Sequence, residues 1–406
     1  MASTVKRGLP ILDLSKADDP AQKAELLGEL REALFQIGFL YIKGHGVSPS
    51  TISDLVKLLP PLFNQPTEAK AALSKKNSPH FLGYSGYAEE VTLGEKDLRE
   101  QFDLATELPV IYAPSAHKPQ NGNSSTTSGR DFSKLYWRLR GPNQWPSEAH
   151  VPGFRTAFTR YHDAVQELSY RFVHLVEEAF GIPAGTFDAF FSKAASAGNA
   201  VVPKKYVPPQ HRIKLIRYPP SPTSDSSARS QGVGAHKDSS GWLTFLYQVG
   251  REEGLQVLSP DGDWISAPPI EDTFVVNFGN AFEAATEGAV KATVHRVLVC
   301  PTYTMPEAPV LILFKAPSST SNPRYSIPFF QGLPLDITVS EIQSYIPLSV
   351  RRLRRDSEGS AHGAVSSFLD PRWDSLGESQ LRKWIRSHED VARTWYGDDV
   401  ADFYLQ

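Results

Sequence analysis

The sequence has almost no cysteine, since Cys300 is the single residue of this type among 406. One thiol excludes an internal disulfide, and it also excludes a zinc site built from thiolates. A metal ion bound by this chain would therefore have to be held by histidine, aspartate and glutamate side chains.

The chain also lacks a strong net charge and a long apolar run. Its formal net charge is −3 at pH 7, and no uncharged stretch approaches the ~20 residues that cross a bilayer. The basic cluster VRRLRR at 350–355 is followed by Asp356 and Glu358, which indicates a solvated helix end. The N-terminus has no apolar signal-peptide core. We therefore expect a cytoplasmic protein without a nucleic-acid or membrane partner, while the sequence leaves the oligomeric state open.

Helical periodicity dominates residues 1–200. Apolar residues recur at helical spacing over residues 20–39 and most regularly over 154–180, where Gly181 and Pro183 end the pattern. The short apolar run at residues 39–42 predicts a first strand. We expect a mainly helical N-terminal region that contributes at least one strand.

Beyond residue 210 the pattern changes to short apolar or alternating runs, which predict strands. Within this region SPDGDW at 259–264 predicts a hairpin turn, and no long helical pattern separates the strands, which excludes a parallel βαβ sheet. A jelly roll or related barrel over residues 201–335 is favoured. Helical periodicity returns over residues 336–406, so the chain is α+β and forms one compact unit. The predicted strand segments are RIKLIRY, WLTFLYQ, GLQVL, WISAPP, TFVVNFG, ATVHRVLV, PVLILF and YSIPFF.

Two Ser/Pro/Gly-rich stretches, near residues 114–131 and 219–232, are predicted to be loops.

A His-x-Asp pattern occurs twice, and its context separates the two copies. His388-Glu-Asp390 lies in a helical pattern, where residues two apart point about 200° apart around the axis and cannot chelate one ion. His236 and Asp238 precede the predicted strand WLTFL, and positions i and i+2 of a strand share one face. An imidazole and a carboxylate can therefore converge at this second copy.

His295, in the predicted strand ATVHRVLV, is the candidate third ligand. A lone histidine in a strand is usually structural, but two histidines and one carboxylate without thiolates form the facial set that leaves open positions on Fe(II). The sequence therefore predicts an iron site of His236, Asp238 and His295, with no catalytic residue beyond these ligands.

The same residues carry a resemblance to a known family. His236-x-Asp238, His295 and Arg324-Tyr-Ser326 resemble the iron(II)- and 2-oxoglutarate-dependent dioxygenases of the isopenicillin N synthase-like group. The resemblance implies a double-stranded β-helix (jelly-roll) core with flanking helices from the N- and C-terminal regions. Further landmarks follow in that group's order between residues 8 and 330: PILDLS, GFLYIKGHGV, LFNQPTEAK, IRYPP, GLQVLSPDGDW and VVNFG.

The resemblance also implies a cosubstrate site. Arg324 and Ser326 would bind the distal carboxylate of 2-oxoglutarate, and Tyr218 would add a hydrogen bond. On a strand Arg324 and Ser326 point to one side, and a guanidinium presents a fork that matches a carboxylate. The alternatives are a surface ion pair for Arg324 and a core ring for Tyr218.

The implied reaction uses Fe(II), O2 and 2-oxoglutarate to hydroxylate or desaturate a small organic molecule, expected to be a secondary metabolite, with release of succinate and CO2. Several departures from the family pattern occur, and two of them bear on the site. Asn280 stands where aspartate is usual and is predicted to have a turn or supporting role. The connection between His295 and Arg324 is longer than usual and predicts an extended hairpin.

The walls of a substrate pocket are harder to identify from sequence. Tyr84, Phe102 and Phe245 are the candidates, and core packing explains each of them equally well.

Three other functions stay open at this point. An iron oxidase of the same group would use Arg324 and Ser326 for the substrate's own carboxylate and would consume O2 without 2-oxoglutarate. SPDGDW and ATVHRV are also similar to segments of pyrimidine-hydroxylating members, so a nucleobase substrate is a second alternative. A non-catalytic binding protein of this fold is the third, and it would keep its effect after Asp238→Ala.

Overall fold

The computed structural model describes residues 8–92, 94–114, 130–192, 206–220, 230–239, 241–299, 322–353, 372–373 and 375–406. Over these ranges the chain combines helices with sheets, so the predicted mixture of the two is confirmed. The predicted strand PVLILF, most of the long connection before Arg324 and most of the predicted loop near 114–131 lie outside the described residues.

The described residues form fourteen strands. These are β1 Ile11–Asp13, β2 Phe39–Lys43, β3 Gly83–Ser85, β4 Val91–Thr92, β5 Glu95–Lys96, β6 Glu100–Ala105, β7 Arg212–Tyr218, β8 Ser230–His236, β9 Leu243–Val249, β10 Leu255–Leu258, β11 Trp264–Ser266, β12 Phe274–Phe278, β13 His295–Val299 and β14 Arg324–Phe330.

The same ranges contain twelve α-helices. These are α1 Pro20–Gln36, α2 Pro49–Val56, α3 Leu59–Phe63, α4 Thr67–Ala72, α5 Phe154–Phe180, α6 Asp188–Phe191, α7 Asn280–Ala285, α8 Val339–Ser344, α9 Leu348–Arg351, α10 Leu376–Ser387, α11 Glu389–Tyr396 and α12 Asp398–Leu405.

Local sequence explains where α1 and α5 begin and end. Pro20 opens α1, and the side chain of Asp19 accepts a hydrogen bond from the Ala21 N–H at 2.9 Å, as an N-cap does. α5 has the predicted bounds and ends at Gly181, whose φ of +65° is left-handed and suits glycine. α1 ends three residues earlier than predicted, because the chain must turn before β2 begins.

Most strands belong to two sheets. The larger has the order β1-β2-β12-β9-β14-β7-β6-β3, and the smaller has the order β11-β10-β13-β8. The pair β1–β2 is parallel, whereas the strand pairs described beyond residue 210 are antiparallel, as predicted. The SPDGDW segment forms the predicted turn between β10 and β11, where the Gly262 N–H donates to the Ser259 carbonyl at 3.1 Å.

The larger sheet separates a helical layer from the smaller sheet. On β7, Ile213 and Leu215 pack into the apolar cluster that includes α1 and α5. Ile216 and Tyr218 instead pack with residues of β8, β10 and β13. This division follows from the alternation of side chains along a strand, and it gives the polar residues of the larger sheet a protected space between the sheets.

The C-terminal helices α10, α11 and α12 pack with Phe81 and with residues 136–139 in a further apolar cluster. Trp384 of α10 stacks on Phe81, with ring centroids 5.8 Å apart, which docks the end of α10 beside the sheets.

No helix among the residues described is both long enough and apolar enough to span a membrane.

Candidate metal centre

The smaller sheet brings the three predicted ligands together. His236 is the last residue of β8, His295 is the first residue of β13, and these two residues are direct partners in the antiparallel pair. Their ring centroids lie 4.3 Å apart. Asp238 follows β8 by two residues, and the ligand atoms of all three side chains lie within 4.8 Å of one another.

The predicted reason for this convergence was wrong in one respect. His236 and Asp238 do not share a strand face, because β8 ends at His236 and Asp238 lies in the loop before β9. β8 also begins at Ser230, inside the stretch 219–232 that was predicted to be a loop. The position of Asp238 depends instead on Asn280, whose backbone N–H donates to the Asp238 carbonyl at 2.9 Å.

Backbone hydrogen bonds orient both imidazoles. Nδ1 of His236 donates to the Gly234 carbonyl at 2.8 Å, and Nδ1 of His295 donates to the Thr293 carbonyl at 3.1 Å. Because a carbonyl only accepts, each Nδ1 carries a proton, and each Nε2 is the nitrogen that is left to face a metal ion. The two Nε2 atoms lie 3.8 and 3.7 Å from Oδ1 of Asp238.

Asp238 is held through its other carboxylate oxygen. Oδ2 accepts from the Thr244 hydroxyl at 2.6 Å and from the Asn277 amide at 2.7 Å, so Oδ1 is left to face the imidazoles. Burial opposes ionisation, but the two histidines and these hydrogen bonds outweigh it and lower the pKa of Asp238.

Burial, together with the neighbouring His295, lowers the pKa of His236 to about 3. A neutral His236 and an ionised Asp238 are the forms that bind a divalent cation.

Gly279, the residue before α7, provides a test of how the loop positions Asp238. A Cβ at this position would lie 2.1 Å from the Gly241 carbonyl oxygen and 3.2 Å from that of Asp238. Gly279→Ala must therefore displace the backbone of the loop, and we expect it to lower the free energy of unfolding by roughly 2 kcal/mol or more and to weaken metal binding. Urea denaturation and iron content after reconstitution measure the two effects.

Gly28→Ala is the matched control, because a Cβ at Gly28 in α1 meets nothing within 4 Å. We expect it to leave iron content unchanged and to raise stability by up to about 1 kcal/mol. Unchanged stability and iron content in Gly279→Ala would contradict the proposed constraint.

A second group of predicted residues lies on the larger sheet, facing the same space. Arg324 and Ser326 stand two apart on β14, and both side chains are buried. Arg324 pairs in register with Tyr218 of β7, and its guanidinium carbon lies 4.9 Å from the Tyr218 ring centroid. Its Nη2 donates to Oε1 of Gln248 at 2.8 Å.

Arg324 is incompletely partnered. Within the part of the chain that the structure describes, its buried Nε and Nη1 have no hydrogen-bond partner. Burial lowers the pKa of this guanidinium. Unpartnered buried donors are costly, so the arrangement fits an anionic ligand that accepts from this guanidinium.

These two groups line one cavity of about 370 Å³. The candidate pocket residues Tyr84, Phe102 and Phe245 do not line it. Phe245 packs against Phe172 on the helical side, because strand alternation turns its neighbours Thr244 and Leu246 to the cavity.

Tyr84 and Phe102 are direct partners in the β3–β6 pair, and their ring centroids lie 4.9 Å apart. Phe102 is buried and also packs against Phe63, in the same apolar core as α5. The structure therefore places these three aromatics outside this cavity, on the side of the larger sheet that packs against the helices.

The end of α10 supplies cavity residues that the sequence did not identify, namely Lys383, Trp384, Ser387 and His388. His388 interrupts the predicted helix between α10 and α11, and its Nε2 lies 3.0 Å from Oε1 of Glu90. Asp390 pairs instead with Lys76 at 2.9 Å, so this second His-x-Asp places its two side chains on different partners. No local pattern distinguishes these residues from an ordinary amphipathic helix.

Comparison with known proteins agrees with this arrangement. Residues 9–148 match the family model of the non-haem dioxygenase in morphine synthesis N-terminal domain, and residues 209–332 match that of the 2OG-Fe(II) oxygenase superfamily.

Among characterised relatives, the chain is 36% identical to the 2-oxoglutarate-dependent dioxygenase frbJ of Dothideomycetidae sp., over 95% of this chain and 91% of that protein. It is 29% identical to a 2-oxoglutarate-dependent dioxygenase of Gibberella zeae, over 96% and 91% of the two chains.

Solved structures share the fold. A full-length Neurospora crassa protein in complex with alpha-KG and thymine has a TM-score of 0.60 and 23% identity, over 85% of this chain and 95% of that chain. A putative 2OG-Fe(II) oxygenase family protein from Caulobacter crescentus has a TM-score of 0.60 and 21% identity, over 90% and 97%.

Proposed function

The chain belongs to the Fe(II)- and 2-oxoglutarate-dependent dioxygenases, and from this premise we propose that it hydroxylates or desaturates a small organic molecule of secondary metabolism. The observation that carries the proposal is one cavity that joins a His/Asp/His cluster to an incompletely partnered, buried arginine.

We assign His236, Asp238 and His295 as the iron ligands. Two imidazoles that present Nε2 and one carboxylate oxygen form a donor set that suits Fe(II) and leaves coordination positions open. The supporting hydrogen bonds from Thr244 and Asn277 keep the carboxylate oriented without occupying Oδ1. When bound, Fe(II) would activate O2, with one oxygen atom going to succinate and, in a hydroxylation, the other to the product.

We assign Arg324, Ser326 and Tyr218 to 2-oxoglutarate. The Arg324 guanidinium offers two free donors, the Ser326 hydroxyl lies on the same strand face, and the Tyr218 ring fixes the plane of the guanidinium. The protein would thereby orient the cosubstrate and keep its distal carboxylate away from bulk water.

The sheet arrangement supports a double-stranded β-helix as the core. Antiparallel β8, β10 and β13 pack over antiparallel β7, β9 and β14, with the candidate ligands and Arg324 between them. We propose the core at residues 201–335, an N-terminal region at 1–200 that adds strands to its larger sheet, and a C-terminal extension at 336–406 that closes one side of the cavity.

The size of the cavity favours a small substrate. A volume of about 370 Å³ lies near the lower end of the range for small-molecule sites. At 23% identity, the likeness to the thymine-bound Neurospora crassa structure shows a shared fold alone.

The test is anaerobic reconstitution with Fe(II), followed by titration with 2-oxoglutarate and then by exposure to O2 with a library of small metabolites. We expect saturable binding of 2-oxoglutarate and succinate release that rises with the true substrate and stops when a chelator removes iron. O2 consumption that continues without 2-oxoglutarate, or failure of the Fe(II) protein to bind it, would contradict the proposal.

A further inference from the structure

Lys383 is a cation of the cavity wall for which the described residues supply no ion-pair partner. It lies near the end of α10, and its neighbour in sequence, Trp384, also lines the cavity. Its Nζ lies 5.4 Å from the Trp384 ring centroid, and no carboxylate of the described residues lies within ion-pairing distance of it. No pattern in the sequence identifies Lys383 as a cavity residue.

Arg99 and Lys214 both line the same cavity and have anionic partners. Arg99 contacts Glu90 at 2.7 Å. Lys214 lies 3.6 Å from Asp103 and 3.8 Å from Glu90.

Lys237, a third cavity cation, lies 3.0 Å from Glu283. The carboxylates nearest the cavity thus form their direct ion pairs with cations other than Lys383, which Asp238, Glu90 and Asp103 influence only at longer range.

The surroundings of Lys383 disfavour an uncompensated charge. Burial, with the nearby Lys214, lowers the pKa of Lys383 to about 8. Most molecules still carry the ammonium at neutral pH, and an ammonium removed from water is stabilised when an anion approaches it.

The charges of the proposed catalytic complex leave Lys383 unbalanced. The formal charges sum to zero over the set of Fe(II), ionised Asp238, doubly ionised 2-oxoglutarate and Arg324. Arg99, Lys214 and Lys237 are compensated by carboxylates of the chain. The charge of Lys383 therefore remains for the one component still to enter the cavity.

We propose that Lys383 binds an anionic group of the substrate, a carboxylate above all, so that the enzyme acts on small organic acids. This inference rests on the proposed function, because it concerns the substrate of the same cavity. Lys383 is a specificity-determining residue in this view, and its ammonium orients the acid end of the substrate away from the carbon to be oxidised.

The test compares acids with their own primary amides, which match them in shape but lack the charge. Phenylacetate, 4-phenylbutyrate and indole-3-acetate are each titrated, beside the corresponding amide, into anaerobic protein loaded with Fe(II) and 2-oxoglutarate. Calorimetry gives the two dissociation constants. We expect at least one acid to bind, and to bind at least about tenfold more tightly than its amide.

Lys383→Gln should remove this preference, and Lys383→Arg should retain most of it. Arg386→Gln is the matched control, because Arg386 is an exposed cation on the same helix. It should leave the preference unchanged. Binding of 2-oxoglutarate should be equal in all four proteins, which separates a substrate anion from the cosubstrate's carboxylates.

Acid preference that persists in Lys383→Gln, equal binding of acid and amide to the wild type, or the absence of binding by every acid would overturn the inference. The separate titration with 2-oxoglutarate reports on the proposed function. Its failure in the wild type would refute that function, whereas normal 2-oxoglutarate binding with no acid preference would refute the role of Lys383 alone.

Discussion

Asp238→Asn is expected to abolish iron binding and, with it, turnover of 2-oxoglutarate. The substitution keeps the size of the side chain but removes the negative charge that faces the two imidazoles. An asparagine amide has two orientations here, and both are unfavourable. Its NH2 group would face either Thr244 and Asn277, which are themselves donors, or the metal position. Loss of a group that merely supports a ligand costs 10–100-fold in metal affinity, so loss of a ligand should weaken Fe(II) binding by at least about 100-fold.

The chain supplies its own control in the second His-x-Asp pattern. Asp390→Asn makes the same chemical change, but Asp390 is exposed and pairs with Lys76. We expect this variant to retain one iron per chain after anaerobic reconstitution and desalting. Circular dichroism would verify that both variants are folded. Full iron retention in Asp238→Asn would remove Asp238 from the ligand set.

The identity of the candidate ligands could be predicted from the sequence because the chemistry restricts the choice. One cysteine leaves only histidine and carboxylate ligands, and a helical pattern eliminates His388 with Asp390. The geometric reason for Asp238 could not be predicted, since it lies in a loop whose position depends on the Asn280 N–H. That contact joins segments about forty residues apart and has no local signature.

The pocket aromatics illustrate a second limit. Strand β9 was predicted correctly, but Phe245 was assigned to the face that Thr244 and Leu246 occupy. A strand with apolar residues on both faces gives no alternation from which to read its orientation, and a shift of one residue exchanges the faces. The sequence therefore predicts such a strand more securely than it predicts which side chains meet the cavity.

The contribution of α10 was missed for a different reason. Its helical periodicity was recognised, but the docking of Trp384 on Phe81 depends on two segments three hundred residues apart. Tertiary contacts of this kind bring the end of the helix, with Lys383, to the cavity that contains the metal ligands. Periodicity identifies the buried face of a helix, and it does not identify what that face covers.

Arg324→Met is expected to raise the KM for 2-oxoglutarate by roughly 100-fold or more, because one partner of a buried, hydrogen-bonded charge pair is removed. Methionine fills much of the arginine stem but offers none of its donors. His236 and His295 lie on the smaller sheet and Asp238 lies in the loop after β8, so iron content should not change. Initial rates over a range of 2-oxoglutarate concentrations, with iron measured on the same sample, give the result.

Arg324→Lys separates charge from geometry at this position. Lysine retains the positive charge, but it has neither the several fixed donors of the guanidinium nor the planar group that lies over Tyr218. We expect a rise in KM of about tenfold, between wild type and Arg324→Met, with kcat at saturating 2-oxoglutarate less affected than KM. Arg251→Met, at an exposed arginine just after β9, should leave the KM unchanged. If Arg324→Met binds 2-oxoglutarate as the wild type does, the two buried donors must serve another ligand. If its iron content falls in parallel, the substitution acts through the fold and the assignment of Arg324 to the cosubstrate fails.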